Sequence, residues 1–292
     1  MRLGGFFSAG NIEELDGLCE KLDMYGLSAI PAPNRLAEMP LEDCDAFGQR
    51  AGELGIVVGE AGMWQNLLTD NEELQSTRID LVRRMLRNAD RMGCQCVVAL
   101  VGTKDPSDNP VAPHPYLYRD ACKLEFRQVV LRILDGLDLQ TTKFAIEPWH
   151  NSFFYQPEEI LSFIDSVDHP MFGVHLDQMN MVSQATFYDT TGLINRTFDL
   201  LAEDVASVHL KDVRWDFEHM FLKWDEVHIG DGVMDYQTLL KRLSELPPDM
   251  PCFCEHMAEE RDYALNFARL HHQARKAGAQ FLRRGQSILE PG

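Results

Sequence analysis

The sequence predicts a single α/β domain, a TIM-type (β/α)8 barrel, on three observations. Short apolar, β-branched segments recur along the chain, each followed by a polar or Gly-rich stretch and then by an amphipathic one. Eight such segments can be counted in 292 residues, close to the ~250 residues typical of the closed barrel. Strict alternation of strand and helix demands parallel strands joined by crossovers. The structural alternative is an open, doubly wound sheet. No G-x-G-x-x-G follows the first strand, which weakens that alternative and gives no reason to expect a nucleotide cofactor.

The eight predicted strands are Leu3–Phe7, Ala29–Ala32, Ile56–Glu60, Cys96–Val101, Lys143–Glu147, Gly173–Asp177, Ser207–Leu210 and Cys252–Glu255. Helical patterns lie between them at Ile12–Met24, Leu74–Met92, Leu117–Leu134, Pro157–Asp165 and Tyr236–Ser244. Asn11 and Asp235 stand where helix N-caps belong, and Gly26 and Gly93 where helices end. No Pro/Gly/Ser linker divides the chain, so the barrel is expected over residues 1–284 and a disordered C-terminal tail over 285–292. The most polar insertion, Lys104–His114, follows the fourth strand and belongs on the C-terminal face, where barrel active sites sit. A lid or substrate wall and a plain surface loop both suit it.

Nearly half of the residues are apolar, enough for a sizeable core without disulfides. The N-terminus lacks the apolar stretch of a secretory signal, and no apolar run approaches the ~18 residues of a membrane span. These features predict a cytoplasmic protein with no membrane partner. The seven cysteines include two C-x-C pairs, Cys94/Cys96 and Cys252/Cys254, each inside an apolar run. Buried thiols explain them better than a paired-thiolate metal site, and the odd count argues against a disulfide framework. With 27 Lys plus Arg against 46 Asp plus Glu, the formal charge is −19. That field repels polyanions, so no nucleic acid partner is expected.

Chemistry concentrates where strands five to eight end. They read Phe144-Ala-Ile-Glu147, Val174-His-Leu-Asp177, Val208-His209-Leu-Lys211-Asp212 and Phe253-Cys-Glu255-His256. A carboxylate or imidazole at the end of an apolar strand is costly to bury unless paired, hydrogen-bonded or bound to metal. In a closed barrel four consecutive strand ends curve around one side of the mouth, so Glu147, Asp177, His209 and Glu255 can converge. Three carboxylates and one imidazole make a hard, mainly oxygen site, suited to Mn²⁺ first, with Mg²⁺, Co²⁺ or Zn²⁺ as alternatives.

The order Glu, Asp, His, Glu, with His209-x-Lys211-Asp212 and Gly230-Asp-Gly232-x-x-Asp235-Tyr236, resembles the sugar isomerase/epimerase family of xylose-isomerase-like TIM barrels. The resemblance runs from the first strand to the last helix. It implies that Glu147, Asp177, His209 and Glu255 are the metal ligands. It also implies that Glu147 and Glu255 double as acid and base, passing a proton through an enediolate on a sugar or keto-sugar. Self-association into a homo-oligomer is a further implication, and a second kind of subunit completing the pocket stays open. Family members often carry a histidine three residues after the strand-six aspartate, which is also a ligand in the related apurinic endonucleases. That position holds Asn180 here, which we count among the substrate contacts and which argues against DNA repair.

Around this centre, His150 lies three residues beyond Glu147 and is a candidate extra base. With it, a lyase acting on a 3-keto-glycoside, of the C-glycoside-cleaving type, or a keto-inositol dehydratase becomes the alternative to the isomerase. Trp64 and Trp149 follow predicted strands and offer aromatic faces to a sugar. Glu60 ends strand three, Lys211 shares the inward face with His209, and Arg214 lies three residues further on. All are read as candidate substrate contacts. His175 is expected one layer deeper as a hydrogen-bonded core residue. Gly230-Asp-Gly232 reads as a turn and helix entry rather than a phosphate cradle, so the substrate is expected to be a non-phosphorylated carbohydrate.

Overall fold

The computed structural model describes residues 1–5 and 7–286. In chain order its elements are β1 (Arg2–Gly4), α1 (Ile12–Tyr25), β2 (Ala29–Pro31), α2 (Leu41–Glu53), β3 (Val57–Met63), α3 (Glu72–Met92), β4 (Cys96–Ala99), α4 (Asp120–Leu134), β5 (Lys143–Ile146), α5 (Pro157–Val167), β6 (Phe172–Asp177), α6 (Thr190–Leu201), β7 (Val205–Leu210), β8 (Asp212–Trp215), β9 (Trp224–Val227), α7 (Tyr236–Leu243), β10 (Pro251–Cys254) and α8 (Glu260–Lys276). Eight strands form one parallel sheet in the order β1-β10-β7-β6-β5-β4-β3-β2. The edge strands meet where Ser28 N–H, just before β2, donates to Leu3 O of β1 at 2.9 Å. The sheet is therefore a nearly closed barrel with the helices outside it, as the alternation predicts.

Local chemistry sets the helix ends. Asn11 Oδ1 accepts from Glu14 N at 2.9 Å while the Glu14 carboxylate accepts from Gly10 N at 2.7 Å, a reciprocal N-terminal cap for α1. Gly26 ends that helix at φ 68°, a left-handed turn that a side chain would strain. Gly93 does the same for α3, and Asp235 caps α7 by accepting from Thr238 N. The expected helix Leu117–Leu134 is broken at Arg119, which is extended; Pro115–Tyr118 forms a single 3-10 turn before α4. Leu117 points into the core from that turn, so its apolar spacing mimics a continuous helix without one.

The main core lies between sheet and helices. A run of phenylalanines joins β5 and β6 to α4 and α5, with Phe126 stacked on Phe163 at 5.7 Å and Phe163 edge-on to Phe172 at 5.9 Å. A separate small cluster, Cys96, Val98, Ala145 and Ala206, lies apart from it. All seven cysteines are free thiols, and burial pushes Cys94, Cys252 and Cys254 up to about 12, which keeps them protonated.

Three features bear on the mouth of the barrel. The Lys104–His114 loop is anchored: Asp108 pairs with Arg78 and accepts from Asn66 Nδ2 at 2.9 Å, and Lys104 pairs with Asp70 at 2.8 Å and Glu125 at 2.6 Å. An antiparallel hairpin, β8 with β9, rises after β7 where the sequence suggested only a motif. At the C-terminus Arg2 holds the chain down by donating to Arg283 O and Gln286 O. From residue 287 the expected tail lies outside the described residues, as does Phe6 of the first predicted strand. Among the described residues no helix is long and apolar enough to cross a membrane.

Candidate metal centre

Period-two alternation along the strands puts His175 and Asp177 of β6, and Ser207 and His209 of β7, on the inward face. The register agrees, pairing Asp177 with His209 and His175 with Ser207. Glu147 follows β5 and Glu255 follows β10, so both carboxylates hang over the rim. Glu147, Asp177, His209 and Glu255 each bring one ligand atom to within 4.8 Å of the others. Glu147, Asp177 and His209 are buried, and Glu255 is the most open of the four.

The contacts within this set show what it lacks. His209 Nδ1 stands 2.7 Å from Glu255 Oε1 and 3.7 Å from Glu147 Oε1. The Lys211 ammonium reaches Asp177 Oδ2 at 2.6 Å and Glu147 Oε1 at 3.6 Å, and also contacts Glu255 Oε1. Even so, Asp177 Oδ2, His209 Nδ1 and Glu255 Oε1 are buried with no aligned hydrogen bond. Their partners are the ionic contacts within the cluster, in which three carboxylates share one ammonium and one imidazole. A divalent cation between them would satisfy all three at once, and the donor set, three carboxylates and an imidazole, has the chemistry for it. The residues present fit a metal.

Other groups fix the orientation of this set. Asn180 Nδ2 donates to Glu147 Oε1 at 2.8 Å, and its backbone N–H donates to Asp177 Oδ1 at 3.1 Å. Asn180 thus aims two of the carboxylates. Beneath the cluster, Glu60 Oε1 accepts from His209 Nε2 at 3.1 Å. Glu60 Oε2 lies 3.5 Å from His175 Nδ1, which also meets the Ser207 hydroxyl. Glu60, His175 and His209 form a second grouping of ligand-type atoms, but Glu60 is engaged there in orienting the imidazole.

Asp212 plays a part the sequence did not reveal. Its carboxylate accepts from the backbone N–H of Val213, Gly230, Gly232 and Met234, at 2.9, 2.8, 3.1 and 3.1 Å. It staples the Gly230-Asp-Gly232 turn to the start of β8, and a Cβ on Gly232 would run into that carboxylate. The shared spacing of His209-x-Lys211-Asp212 and the later Gly-Asp-Gly is therefore one structural unit. The signal was in the sequence as two motifs, without the contact that joins them.

The remaining candidates lie further out. His150 is exposed, its carbonyl accepts from Tyr118 Oη at 2.8 Å, and its ring lies 4.8 Å from that of Trp149. Trp64 is exposed after β3. Arg214 sits on the hairpin opposite Asp225 and is exposed. None of these four belongs to the converging ligand group.

The electrostatics separate the two glutamates. Burial raises the Glu147 carboxyl above its usual range, against the pull of His209. Burial also opposes ionisation of Glu255, but the positive charges of His209 and Lys211 outweigh it and hold that carboxyl well down. For His209, burial favours the neutral ring, yet the charges of Glu60 and Glu255 prevail and raise it well above the ordinary histidine range.

Residues 18–284 match the family model described as xylose isomerase-like TIM barrel. No curated protein matches the sequence. Among solved structures, an L-ribulose 3-epimerase superposes with a TM-score of 0.67 at 12% identity, covering 95% of this chain and 97% of that one. A xylose isomerase-like TIM barrel protein from Mycobacterium smegmatis, solved in complex with magnesium, gives 0.66 at 15% identity, with 92% and 90% covered. Endonuclease IV from Thermus thermophilus gives 0.65 at 17% identity, with 94% and 100% covered. At these identities the likeness establishes the fold.

Proposed function

The chain belongs to the xylose isomerase-like TIM barrel family, and from that premise we propose that it is a divalent-metal-dependent isomerase or epimerase of a sugar or keto-sugar. The observation that carries this reading is the convergence of Glu147, Asp177, His209 and Glu255 within 4.8 Å, with buried atoms that a cation would satisfy. The ion, Mn²⁺ in the first instance, supplies Lewis-acid polarisation of a carbonyl oxygen. The protein does the rest. Glu147 and Glu255 flank the position of the substrate carbon. One takes the proton next to the carbonyl and the other returns it, to the same carbon in an epimerase or to the neighbouring carbon in an isomerase. Asn180 holds Glu147 in line, and Glu60 holds His209.

Sugar chemistry is favoured over DNA chemistry on two grounds. The formal charge of −19 opposes a polyanion. Asn180, committed to Glu147 and Asp177, stands where the resemblance would place a further metal-binding histidine in the apurinic endonucleases. The L-ribulose 3-epimerase among the structural neighbours supports a carbohydrate substrate. A cytoplasmic location and self-association belong to the same proposal.

His150 favours a second reading, the lyase. Partial desolvation lowers its pKa, which favours the neutral ring that a base needs, and the side chain lines a cleft with Tyr155, Ser183 and Trp224. One experiment tests both readings: protein loaded with Mn²⁺ in D₂O, followed by NMR and mass spectrometry against ketoses, aldoses and keto-glycosides. Deuterium appearing next to the carbonyl, and lost on chelation, is the result expected of the isomerase. Loss of a leaving group from the product supports the lyase. Turnover that persists after the metal is stripped would overturn both.

A further inference from the structure

The β8–β9 hairpin is not required to close the barrel, yet its composition is unusual for a surface element. Its base is anchored: Trp215 and Trp224 face each other across the two strands, and Phe187 packs against them with ring centroids at 5.6 and 5.1 Å. Its tip is the reverse. Phe217, Met220 and Phe221 are 76%, 92% and 82% exposed, and Leu222 is 49% exposed. Single exposed apolar residues need no explanation, but four within six positions form a patch of the kind that marks a binding surface.

The patch continues into a cleft of about 410 Å³. Tyr155, Val182, Leu222 and Trp224 give it apolar walls, and His150 and Ser183 add polar groups. Its size and its mixture of apolar wall with a few polar groups suit a small organic ligand. The cleft adjoins the carboxylate cluster through the chain itself. His150 is three residues past Glu147, and Ser183 is three past Asn180, whose amide touches Glu147 at 2.8 Å. Three residues span at most about 10 Å, and His150 and Ser183 follow the C-terminal ends of β5 and β6, so the cleft and the carboxylates lie at the same end of the barrel.

We propose that this cleft is a subsite for an apolar group, such as an aryl ring, carried by a sugar whose oxygen-bearing end lies at the Glu147–Glu255 cluster. The substrate class is then a sugar conjugate rather than a small free sugar. This inference rests on the sugar-directed reading of the metal centre and narrows it. Leu222 and the flat face of Tyr155 hold the apolar group, while His150 and Ser183 meet the oxygens at the junction.

The test compares phenyl β-D-glucopyranoside with methyl β-D-glucopyranoside, which differ only in the apolar group. Affinities for the Mn²⁺-loaded protein and for its Leu222→Asp and Leu222→Met variants are read by saturation-transfer NMR titration. Leu222 is half exposed, and bound Mn²⁺ reports that each variant is folded. Burying most of one aromatic ring predicts a preference of about tenfold for the phenyl glucoside. That preference should fall below about threefold in Leu222→Asp and return in Leu222→Met. Equal affinities for the two glucosides, failure of both to bind, or a preference untouched by Leu222→Asp would overturn the inference. So would sedimentation showing that a second copy of the chain covers the tip and shuts the cleft. If sugars exchange protons but show no aryl preference, this inference alone fails. If no metal binds, the underlying reading fails first.

Discussion

Glu60 Oε1 accepts a hydrogen bond from His209 Nε2 at 3.1 Å from beneath the cluster, so the other ring nitrogen, Nδ1, is turned toward Glu147 and Glu255. This is the arrangement in which an outer carboxylate fixes the tautomer and raises the basicity of a metal-binding imidazole. From sequence Glu60 could bind a substrate hydroxyl or bridge to another active-site group; its carboxylate spans His209 and His175.

Glu60→Gln keeps the size of the side chain and removes the charge. It should weaken Mn²⁺ affinity by about 10–100-fold, measured by calorimetric titration. An affinity within about twofold of the wild type would remove Glu60 from the centre.

The Lys211 ammonium pairs with three carboxylates, those of Glu147, Asp177 and Glu255, and it is almost fully buried. Lys211→Met leaves those charges uncompensated, which costs about 3–5 kcal/mol for a buried pair. The metal-free variant should therefore melt well below the metal-free wild type. Mn²⁺ should stabilise the variant more than it stabilises the wild type. Equal stabilisation of both by the ion would mean that Lys211 and the metal do not share these carboxylates.

Glu147→Gln and Glu255→Gln address the proton transfer. Each should reduce proton exchange on substrate by about 10²–10⁴-fold while the circular dichroism spectrum stays that of the wild type. Full activity in either variant would end the two-glutamate mechanism.

The 104–114 loop carries its own pH dependence. The Arg78 guanidinium holds the Asp108 carboxyl down at about 2, from an ordinary 3.8. A carboxyl lowered in the folded state adds stability that is present above the ordinary value and lost as pH falls through the folded one. Wild type and Asp108→Asn should therefore differ in proteolysis of the 104–114 loop at neutral pH and converge between pH 3.8 and about 2. Because Asp108 is partly exposed, the difference is worth about 1 kcal/mol or less. A difference that persists at the acid end would assign the anchoring to Asn66 instead.

Strand existence and order were legible because each strand is a short apolar run, and the inward residues followed from period-two alternation. The caps at Asn11 and Asp235 and the stops at Gly26 and Gly93 were legible because each obeys a local rule. The hairpin was not. Its strands, Asp212–Trp215 and Trp224–Val227, pair only with each other, and their aromatic residues resemble a loop rich in contacts. The Glu60–His209 and Asp212–Gly232 contacts were hidden for a related reason. They join residues 149 and 20 positions apart, and no local pattern announces a partner at that separation. The convergence of four strand ends could be anticipated only because a closed barrel leaves their side chains one place to go.

The most direct test of the central claim is calorimetric titration of Mn²⁺ into the metal-free protein and into Asp177→Ala, with Asp177 chosen because it is the most deeply buried of the four. The wild type should bind one ion per chain, and that binding should be lost in the variant. No binding by the wild type, or the same binding in Asp177→Ala, would contradict it.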